Sequence, residues 1–349
     1  MTNATRGAGL LERLEAGPVI CAEGYLFELE RRGYVQAGPY VPEVVLEHPE
    51  VVRQLHRDFV HAGSDVVEAF TYYGHREKLK VIGKEEILEP LNHQALALAR
   101  EVADESGALF AGNICNTNIY EPEDADSHRL VQSAFEEQVG WAEGAGADLV
   151  IGETFSWLGE ALIALEAIRA AGLPAVITLA VHRDGRMREG TSIPEACRRL
   201  EQGGAAVVGM NCIRGPASML PLLEQIRAAV SCHVAALPVP YRTTPERPGF
   251  HHFSDPGHCI PDDRVFPTAL DPFTCNRYEM AEFARHAYAM DVRYIGVCCG
   301  AGPHHIRAIA EALGRTPPAS RYSPDMSRHS FYGTDAKIKA RYKELAADL

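Results

Sequence analysis

Eight short apolar runs alternate with amphipathic stretches along almost the whole chain. The runs are rich in Val, Ile and Ala and almost continuously apolar, which is typical of parallel strands buried on both faces. Regular alternation of strands and helices indicates a parallel sheet, and eight such units favour a closed barrel over a doubly wound sheet of about five or six strands. The sequence therefore predicts an α/β fold, a (β/α)8 TIM barrel. Its strands are expected at residues 18–24, 65–71, 108–114, 147–154, 174–181, 205–212, 233–239 and 294–300.

Two segments stand outside this alternation. Residues 240–277, rich in Pro, His and Asp, follow the seventh strand and so form a long loop on the C-terminal face of the predicted barrel. That face carries the active site in barrel enzymes, and loops of this length are usually functional or disordered. We expect a catalytic barrel domain over residues 1–314 and a C-terminal extension with a final helix over residues 315–349.

The charge balance and hydropathy limit the partners. The 47 acidic residues outnumber the 34 basic residues, and the net charge of −13 disfavours nucleic acid or an anionic membrane as the main partner. The sequence has no run of about 18 apolar residues, and its first residues lack the features of a signal peptide. We therefore expect a cytoplasmic protein that binds small-molecule substrates. Its nine cysteines are an odd number, which argues against a disulfide framework.

Three of the cysteines are predicted to meet on one face of the barrel. Cys212 ends the sixth predicted strand, and Cys298 and Cys299 lie near the end of the eighth. A catalytic zinc ion keeps one of its four positions open, so three cysteines and an open fourth position fit such a site. Neighbouring residues of a strand point to opposite sides, so both Cys298 and Cys299 reach one ion only if a bulge or tight turn ends the strand. The glycines of GVCCGAGP permit such a turn, while cysteines that only fill the core remain the alternative.

A zinc site made only of thiolates favours one kind of chemistry. A free thiol is mostly protonated at neutral pH, whereas a metal-bound thiol is a thiolate, which is the nucleophilic form. The charge of three cysteinates keeps a fourth, substrate sulfur electron-rich and makes the metal poor at polarising a carbonyl. The sequence therefore favours alkylation of a substrate thiol over hydrolysis, for which a His or carboxylate ligand is expected. A structural zinc in a binding or assembly protein is a further alternative.

Several segments resemble the betaine–homocysteine S-methyltransferase family. The resemblance covers residues 10–314 and is carried by LLERLEAG, FELERRGY, EHPEVVRQLHRDFVHAGSDVVEAFTYY, GMNC, RYIGVCCG and HHIRAIAE. The two halves of its zinc motif, GxNC and GxCCG, rarely occur together elsewhere. The resemblance implies that Cys212, Cys298 and Cys299 bind Zn²⁺, that the sulfur of homocysteine fills the fourth position, and that the product is methionine. It also suggests a homo-oligomer.

The resemblance further implies roles for residues around the metal. In the family, the acid at the position of Glu153 binds the amino group of homocysteine, and the tyrosine at the position of Tyr73 lies near the metal and the methyl donor. An acid at the C-terminal end of a barrel strand is a functional candidate in its own right, although the dipole of the following helix is another explanation. Glu153 and Tyr73 are therefore the candidate catalytic residues.

The identity of the methyl donor stays open. Onium cations bind against aromatic faces, and Tyr40, Tyr72 and Tyr73 are candidates for that contact. Animal members of the family have a tryptophan at the position of Tyr40 and a tyrosine at the position of Thr154. They also read Asp-Gly-Gly where this chain has Ala-Glu-Gly at 22–24. Glycine betaine, another betaine, S-methylmethionine and another sulfonium are all candidate donors.

The remaining candidates lie at the predicted strand ends and in the long loop. Candidate substrate-binding residues are Glu23, Gly24, Tyr40, Tyr72, Asn113, Thr154 and Asn211, with Asn116 and Asn118 beside them. In the loop after the seventh strand, His251, His252, His258 and Cys259 form a second cluster. Their spacing matches no standard zinc pattern, so we interpret them as solvated loop side chains.

Overall fold

The strands of the barrel are β1 (Val19–Ala22), β2 (Val66–Glu68), β3 (Leu109–Cys115), β4 (Leu149–Phe155), β5 (Ala175–Leu179), β6 (Val207–Asn211), β7 (His233–Leu237) and β8 (Tyr294–Val297). The computed structural model describes residues 7–181, 184–257, 259–260 and 263–348. The eight strands form a closed barrel in chain order, and every pair of neighbours is parallel, including β8 with β1. The predicted (β/α)8 barrel is confirmed.

The helices are α1 (Leu10–Ala16), α2 (Tyr25–Arg31), α3 (Val44–Glu47), α4 (Pro49–Ala62), α5 (Arg76–Val81), α6 (Leu88–Ser106), α7 (Ala125–Gly144), α8 (Leu158–Ala170), α9 (Ile193–Gln202), α10 (Pro216–Ala229), α11 (Arg277–Ala289), α12 (Pro303–Ala312) and α13 (Ala340–Ala346). The sequence did not predict the short helices α1, α2, α3 and α5. Local signals set several ends: Pro49 begins α4, and Asn276 caps α11 by accepting from the backbone N–H groups of Tyr278 and Glu279.

The apolar core has two layers. One lies inside the barrel, where Cys21, Ile151 and Leu237 pack together, and Leu10 and Leu14 of α1 belong to the same cluster. The other fills the space between the barrel and the surrounding helices. Because α1 covers the interior at the beginning of the strands, the opposite face, where the strands end, is left to build the site.

The two strands that lead to the cysteines end earlier than the sequence suggests. β6 ends at Asn211 and β8 at Val297, so Cys212 does not end a strand as predicted, and Cys298 and Cys299 also lie just beyond their strand. Cys212 and Ile213 have φ angles of 55° and 54°, and Gly300 has φ 90°. These values belong to the left-handed region, which turns the chain sharply. The turn expected after β8 is therefore present, and the chain also turns sharply after β6.

The two segments outside the alternation have little regular structure. The long loop after β7 contains short 3₁₀ turns at Phe250–His252 and Asp271–Phe273. In the extension, the 3₁₀ turn at Pro318–Tyr322 contacts α4 and α12, while no residue of α13 is buried. The division into a barrel domain and an extension stays a prediction. In the part of the chain that the structure describes, every helix is too short or too polar to cross a lipid bilayer.

Candidate active site

The Sγ atoms of Cys212, Cys298 and Cys299 lie within 4.8 Å of one another at the C-terminal end of the barrel. The sulfurs of Cys298 and Cys299 are 3.9 Å apart. Tetrahedral zinc with Zn–S bonds of about 2.3 Å places its sulfur ligands about 3.8 Å apart. The donor type, the number of donors and their spacing therefore fit a zinc ion with one position left for another ligand.

The turn after β8 is held by close packing. Gly300 lies so near the hydroxyl of Tyr241 that a Cβ atom would collide with it. Arg31 of α2 donates one hydrogen bond to this hydroxyl, at 2.9 Å, and another to the Gly300 carbonyl, at 3.0 Å. Gly24 packs in the same way, since a Cβ there would come within 2.9 Å of the Ala301 carbonyl oxygen. These contacts fix the position of the two adjacent cysteines.

The three thiols interact with one another through hydrogen bonds. Hydrogen bonds from Cys298 and Cys299 hold the pKa of the Cys212 thiol well below its usual value. Burial raises the pKa of the Cys298 thiol, and the hydrogen bond with Cys212 raises that of Cys299. Protein groups alone thus stabilise one thiolate in this cluster. Holding three thiolates requires a compensating cation, which is what a divalent metal ion provides.

A set of three buried carboxyls lies beside the cysteines. Glu23 follows β1, Glu68 ends β2 and Glu153 lies in β4, and each of them is at most 6% exposed. Two amides bind them together. Asn113 donates to Glu68 at 2.7 Å and to Glu153 at 2.8 Å. The amide nitrogen of Asn211 lies 2.7 Å from Glu153, 3.3 Å from Glu23 and 3.8 Å from Sγ of Cys298.

Burial makes these carboxyls hard to ionise. It raises the pKa of Glu153 to about 7, against the hydrogen bonds from Asn113, Thr154 and Asn211, which favour the ionised form. Burial and the neighbouring charge of Glu153 raise the pKa values of Glu23 and Glu68 well above the usual value. Oε1 of Glu23 is buried and, among the described residues, has no hydrogen-bond partner. The group therefore suits a ligand that carries a positive charge.

Two adjoining cavities open at the cysteines. The inner pocket is narrow and is lined by Glu23, Tyr25, Leu26, Glu68, Ala69, Phe70, Tyr72, Asn113, Glu153 and Cys299. The outer cavity spans about 740 Å³, part of it open to solvent, and is lined by Leu26, Phe27, Tyr40, Tyr72, Tyr73, Asn116, Asn118, Thr154, Ser156, Arg188, Cys212, Ile213, Phe250, His251, Phe266 and Cys299. Since Leu26, Tyr72 and Cys299 line both, one cysteine of the cluster lies at the boundary between an acidic and an aromatic space.

The backbone is strained where it presents the lining residues of the outer cavity. Tyr40, Tyr73 and Thr154 have φ angles of 54°, 60° and 64°, values that residues other than glycine seldom adopt. The strain at Thr154 coincides with a shift of register between β4 and β5. Tyr73 is held by a hydrogen bond from its backbone N–H to the sulfur of Cys115, at 3.2 Å, and by Lys78 over its ring, at 4.4 Å. Such strain is concentrated at functional sites.

The structure brings most of the predicted site residues together. Three of them line neither cavity: Cys298 belongs to the cysteine cluster, Gly24 packs against the turn that carries it, and Asn211 binds the carboxyls. The sequence did not single out Glu68, Arg188 or the three phenylalanines of the outer cavity. Glu68 had a detectable signal, because it lies at the end of an apolar strand. The phenylalanines at 250 and 266 had none, since their loop has no regular pattern.

The candidate residues of the loop after β7 differ in their exposure and location. His251 is exposed, as predicted, yet it lines the outer cavity, with its ring 4.4 Å from that of Phe250 and 4.1 Å from that of Phe266. His252 is half-buried and Cys259 is exposed, whereas His258 lies outside the described residues. Within the described ranges, neither His251, His252 nor Cys259 belongs to a cluster of metal-ligating atoms.

Comparison with known proteins gives a consistent result. A model of the Homocysteine S-methyltransferase family matches residues 20–313. Betaine–homocysteine S-methyltransferase 1 of Danio rerio is 38% identical over 340 residues, covering 95% of this chain and 82% of the relative. The chain belongs to the homocysteine S-methyltransferase family.

Relatives named for different methyl donors are equally similar to this chain. S-methylmethionine–homocysteine S-methyltransferase of Pongo abelii is also 38% identical, over 323 residues, covering 89% of this chain and 84% of the relative. Among solved structures, the homocysteine methyltransferase MmuM of Escherichia coli in a metallated form has a TM-score of 0.66 at 20% identity, over 85% of this chain and 97% of the other. That similarity supports the barrel fold.

Proposed function

We propose that this chain is an enzyme that transfers a methyl group from an onium donor to the thiol of homocysteine and so produces methionine. The observation that carries the proposal is the position of Cys299, which belongs to the three-cysteine cluster and lines both the acidic inner pocket and the aromatic outer cavity. Two substrates entering from opposite sides therefore meet at the metal ligands. Membership of the family supports the same reaction.

The inner pocket suits the acceptor. Its carboxyls match a positively charged amino group, and its lining includes Cys299 of the metal-ligand cluster. Glu153 and Glu23 would bind the ammonium, with Asn113 and Asn211 keeping the Glu153 carboxylate oriented. An ammonium between these carboxyls favours their ionised forms, which offsets the cost of their burial.

The outer cavity suits the donor. Tyr40, Tyr72 and Tyr73 offer aromatic faces to a methylated ammonium or sulfonium, which those faces bind through the ring quadrupole. Thr154 lies at the boundary, with its hydroxyl 3.1 Å from Glu153 and its backbone N–H donating to Asn211 at 3.0 Å. Holding the methyl carbon in line with the acceptor sulfur removes much of the entropic cost of the reaction.

Cys212, Cys298 and Cys299 would hold the Zn²⁺. The bound ion would keep the acceptor sulfur as a reactive thiolate at neutral pH. Asn211 would hold the carboxyls in a fixed position relative to the cysteines. The aromatic walls of the outer cavity would exclude water from the reacting atoms.

Cobalt substitution tests the central part of this proposal. In protein in which Co²⁺ replaces the native metal, homocysteine binding to the ion is expected to change the thiolate-to-cobalt absorption, and methionine should form when an onium donor is added. A cobalt spectrum that homocysteine does not alter, together with no methionine from any donor, would indicate instead a structural metal in a binding or assembly protein.

The setting of the reaction is also part of the proposal. Nine free cysteines suit a reducing compartment, so we place the enzyme in the cytoplasm. We expect a homo-oligomer, because the extension exposes Tyr322 and Tyr332 and no residue of α13 is buried within the chain. Light scattering of the purified protein measures its oligomeric state directly.

A further inference from the structure

A third pocket, which is polar, adjoins the outer cavity and has no cysteine in its lining. It spans about 510 Å³, part of it open to solvent, and Tyr120, Glu121, Trp157 and Glu160 line it beyond the outer cavity. Asn116, Asn118, Ser156 and Arg188 line both spaces. A molecule with its onium group among the tyrosines can therefore extend into this pocket.

Arg188 supplies a positive charge at the junction. Of the described residues that line the outer cavity or the polar pocket, it is the only Lys or Arg. Its backbone N–H donates to the Ser156 carbonyl at 2.9 Å, and its guanidinium lies over the ring of Trp157, 5.9 Å from the centroid. Within the described ranges, no carboxylate forms an ion pair with it at 4.0 Å or less. The guanidinium is thus oriented and available to a carboxylate ligand.

Glu160 supplies the opposite charge. It is 2% exposed and lies in the first turn of α8. Its Oε1 accepts two hydrogen bonds from Thr117, one from the backbone N–H at 2.7 Å and one from the hydroxyl at 2.5 Å. These bonds fix the carboxyl and leave Oε2 for a ligand. Burial raises the pKa of the Glu160 carboxyl, while the hydrogen bonds from Thr117 and the charge of Arg188 favour its ionised form.

We propose that Arg188 and Glu160 form a subsite for the zwitterionic α-amino-acid head of the methyl donor. The donor carboxylate binds Arg188, and the ammonium of its α-amino group binds Glu160. The group that carries the transferable methyl, a sulfonium or a quaternary ammonium, lies among the tyrosines of the outer cavity. This inference rests on the proposed function and narrows the donor class. A donor with a carboxylate alone, such as glycine betaine, has no ammonium to bind Oε2 of Glu160 and gains only half of the subsite.

The reaction balances with such a donor. After the acceptor thiol has lost its proton, its sulfur forms a bond to the methyl carbon while the bond from that carbon to the donor sulfonium breaks. The electron pair of the broken bond goes to the donor sulfur. A thiolate and a cation thereby become two neutral thioethers, and no oxidant or reductant is needed.

Two sulfonium compounds test the subsite. S-methylmethionine and 4-(dimethylsulfonio)butanoate both carry a dimethylsulfonium and a carboxylate separated by three carbons, but only the former has the α-amino group. With zinc-loaded enzyme and homocysteine, we expect kcat/KM for S-methylmethionine to exceed that for 4-(dimethylsulfonio)butanoate and for glycine betaine by about tenfold or more, the value of one charge-assisted contact. Calorimetry without homocysteine should give the same order of donor affinities.

Variants assign the preference to the two residues. Glu160→Gln keeps the acceptor for Thr117 and should reduce the ratio between the two sulfonium donors to nearly one, whereas Arg188→Met should weaken the binding of S-methylmethionine. Glu166→Gln, at an exposed position of the same helix, should leave the ratio as it is. Equal or better turnover of a donor without the amino group, or an unchanged ratio in Glu160→Gln, would overturn the subsite while leaving the methyltransferase intact. Failure of every donor to yield methionine would count against the proposed function itself.

Discussion

The side-chain amide nitrogen of Asn211 lies 2.7 Å from Oε2 of Glu153 and so connects two parts of the site. The same nitrogen is 3.8 Å from Sγ of Cys298, and the next residue in the chain is Cys212. Because Asn211 ends β6, its position is fixed by the barrel rather than by a loop. The carboxyls that would bind one substrate are thereby tied to the cysteines that would bind the metal.

Replacing Asn211 with Leu, which has a similar shape, tests this connection. Glu153 then loses a hydrogen bond that favours its ionised form, so we expect the KM for homocysteine to rise by about 10- to 100-fold, the value of one hydrogen bond to a charged group. Zinc content should stay near one per chain, because the cysteines are unchanged. Gln132→Leu, on the exposed face of α7, is a suitable control. An unaltered KM in steady-state kinetics would mean that Glu153 does not depend on this amide.

The metal ligands are tested by Cys299→Ala. We expect both zinc and methyl transfer to be lost, because two cysteines and an open coordination sphere hold zinc far more weakly than three. Cys259→Ala, at an exposed position of the loop after β7, should keep both. Elemental analysis of the purified variants measures the zinc directly. Full zinc content and full activity in Cys299→Ala would contradict the assignment.

The turn that carries the cysteines is tested by Gly300→Ala. The residue has φ 90°, and a Cβ atom there would displace Tyr241, which Arg31 holds by a hydrogen bond. We expect the free energy of unfolding to fall by about 2–4 kcal/mol, the sum of backbone strain and a disturbed core, and the affinity for zinc to fall with it.

Gly314→Ala provides the matched control for that experiment. Gly314 also has a positive φ, of 78°, but a Cβ atom there has no neighbour within 4 Å. Only the backbone strain should remain, at about 1 kcal/mol. Urea unfolding of both variants, together with zinc competition against a chelator, separates the two effects. Equal losses of stability would show that the contact with Tyr241 has no influence on the turn.

The sequence predicts the barrel well because its signal is repeated. Each strand is a buried apolar run, and eight such runs leave few alternative folds. The cysteines are also accessible to prediction, since the ends of parallel strands meet at one face. The exact geometry is not: Cys212 lies beyond its strand because the chain enters a left-handed turn there, and no residue preference signals that turn, as cysteine has no tendency to adopt a positive φ.

Several residues that line the outer cavity could not be predicted from sequence periodicity. Phe250 and Phe266 come from a long loop and meet Phe27 of α2 only in three dimensions, with ring centroids 6.1 and 6.3 Å from that of Phe27. Arg188 likewise follows β5 in an irregular segment. Side chains in such segments are placed by long-range packing rather than by periodicity, and a single sequence carries no record of that packing.

The aromatic outer cavity is tested at Tyr40. Its ring is half-buried and packs 5.7 Å from that of Phe27. Tyr40→Phe keeps an aromatic face for the donor cation and should change the donor KM little. Tyr40→Ala removes the face, and a cation–π contact of about 1–2 kcal/mol corresponds to a KM about 5- to 30-fold higher. The KM for homocysteine, measured in the same assays, should not move, because Tyr40 does not line the inner pocket. Equal donor KM values in both variants would exclude this cation contact.

A buried histidine makes the stability of the fold depend on pH. His56 of α4 is 1% exposed, its ring lies edge-on to Tyr25 with centroids 4.9 Å apart, and among the described residues neither of its nitrogens has a hydrogen-bond partner. Burial lowers the pKa of His56 to about 3, whereas a histidine in the unfolded chain titrates near 6.5. Between these two values the unfolded state binds a proton that the folded state excludes.

The free energy of unfolding should therefore be at its full value above pH 6.5 and fall, through this group, by up to about 1.4 kcal/mol for each pH unit below it. His56→Leu removes the titrating group, so its stability should decline less steeply between pH 6.5 and 4.5. The buried carboxyls, with raised pKa values, act in the opposite direction in both proteins, and the difference between the two curves isolates His56. Urea unfolding with a chelator present avoids any contribution from metal release, and His93→Leu, at an exposed position of α6, is the control. If stability depends on pH in the same way in the parent and in His56→Leu, folding does not lower the pKa of His56.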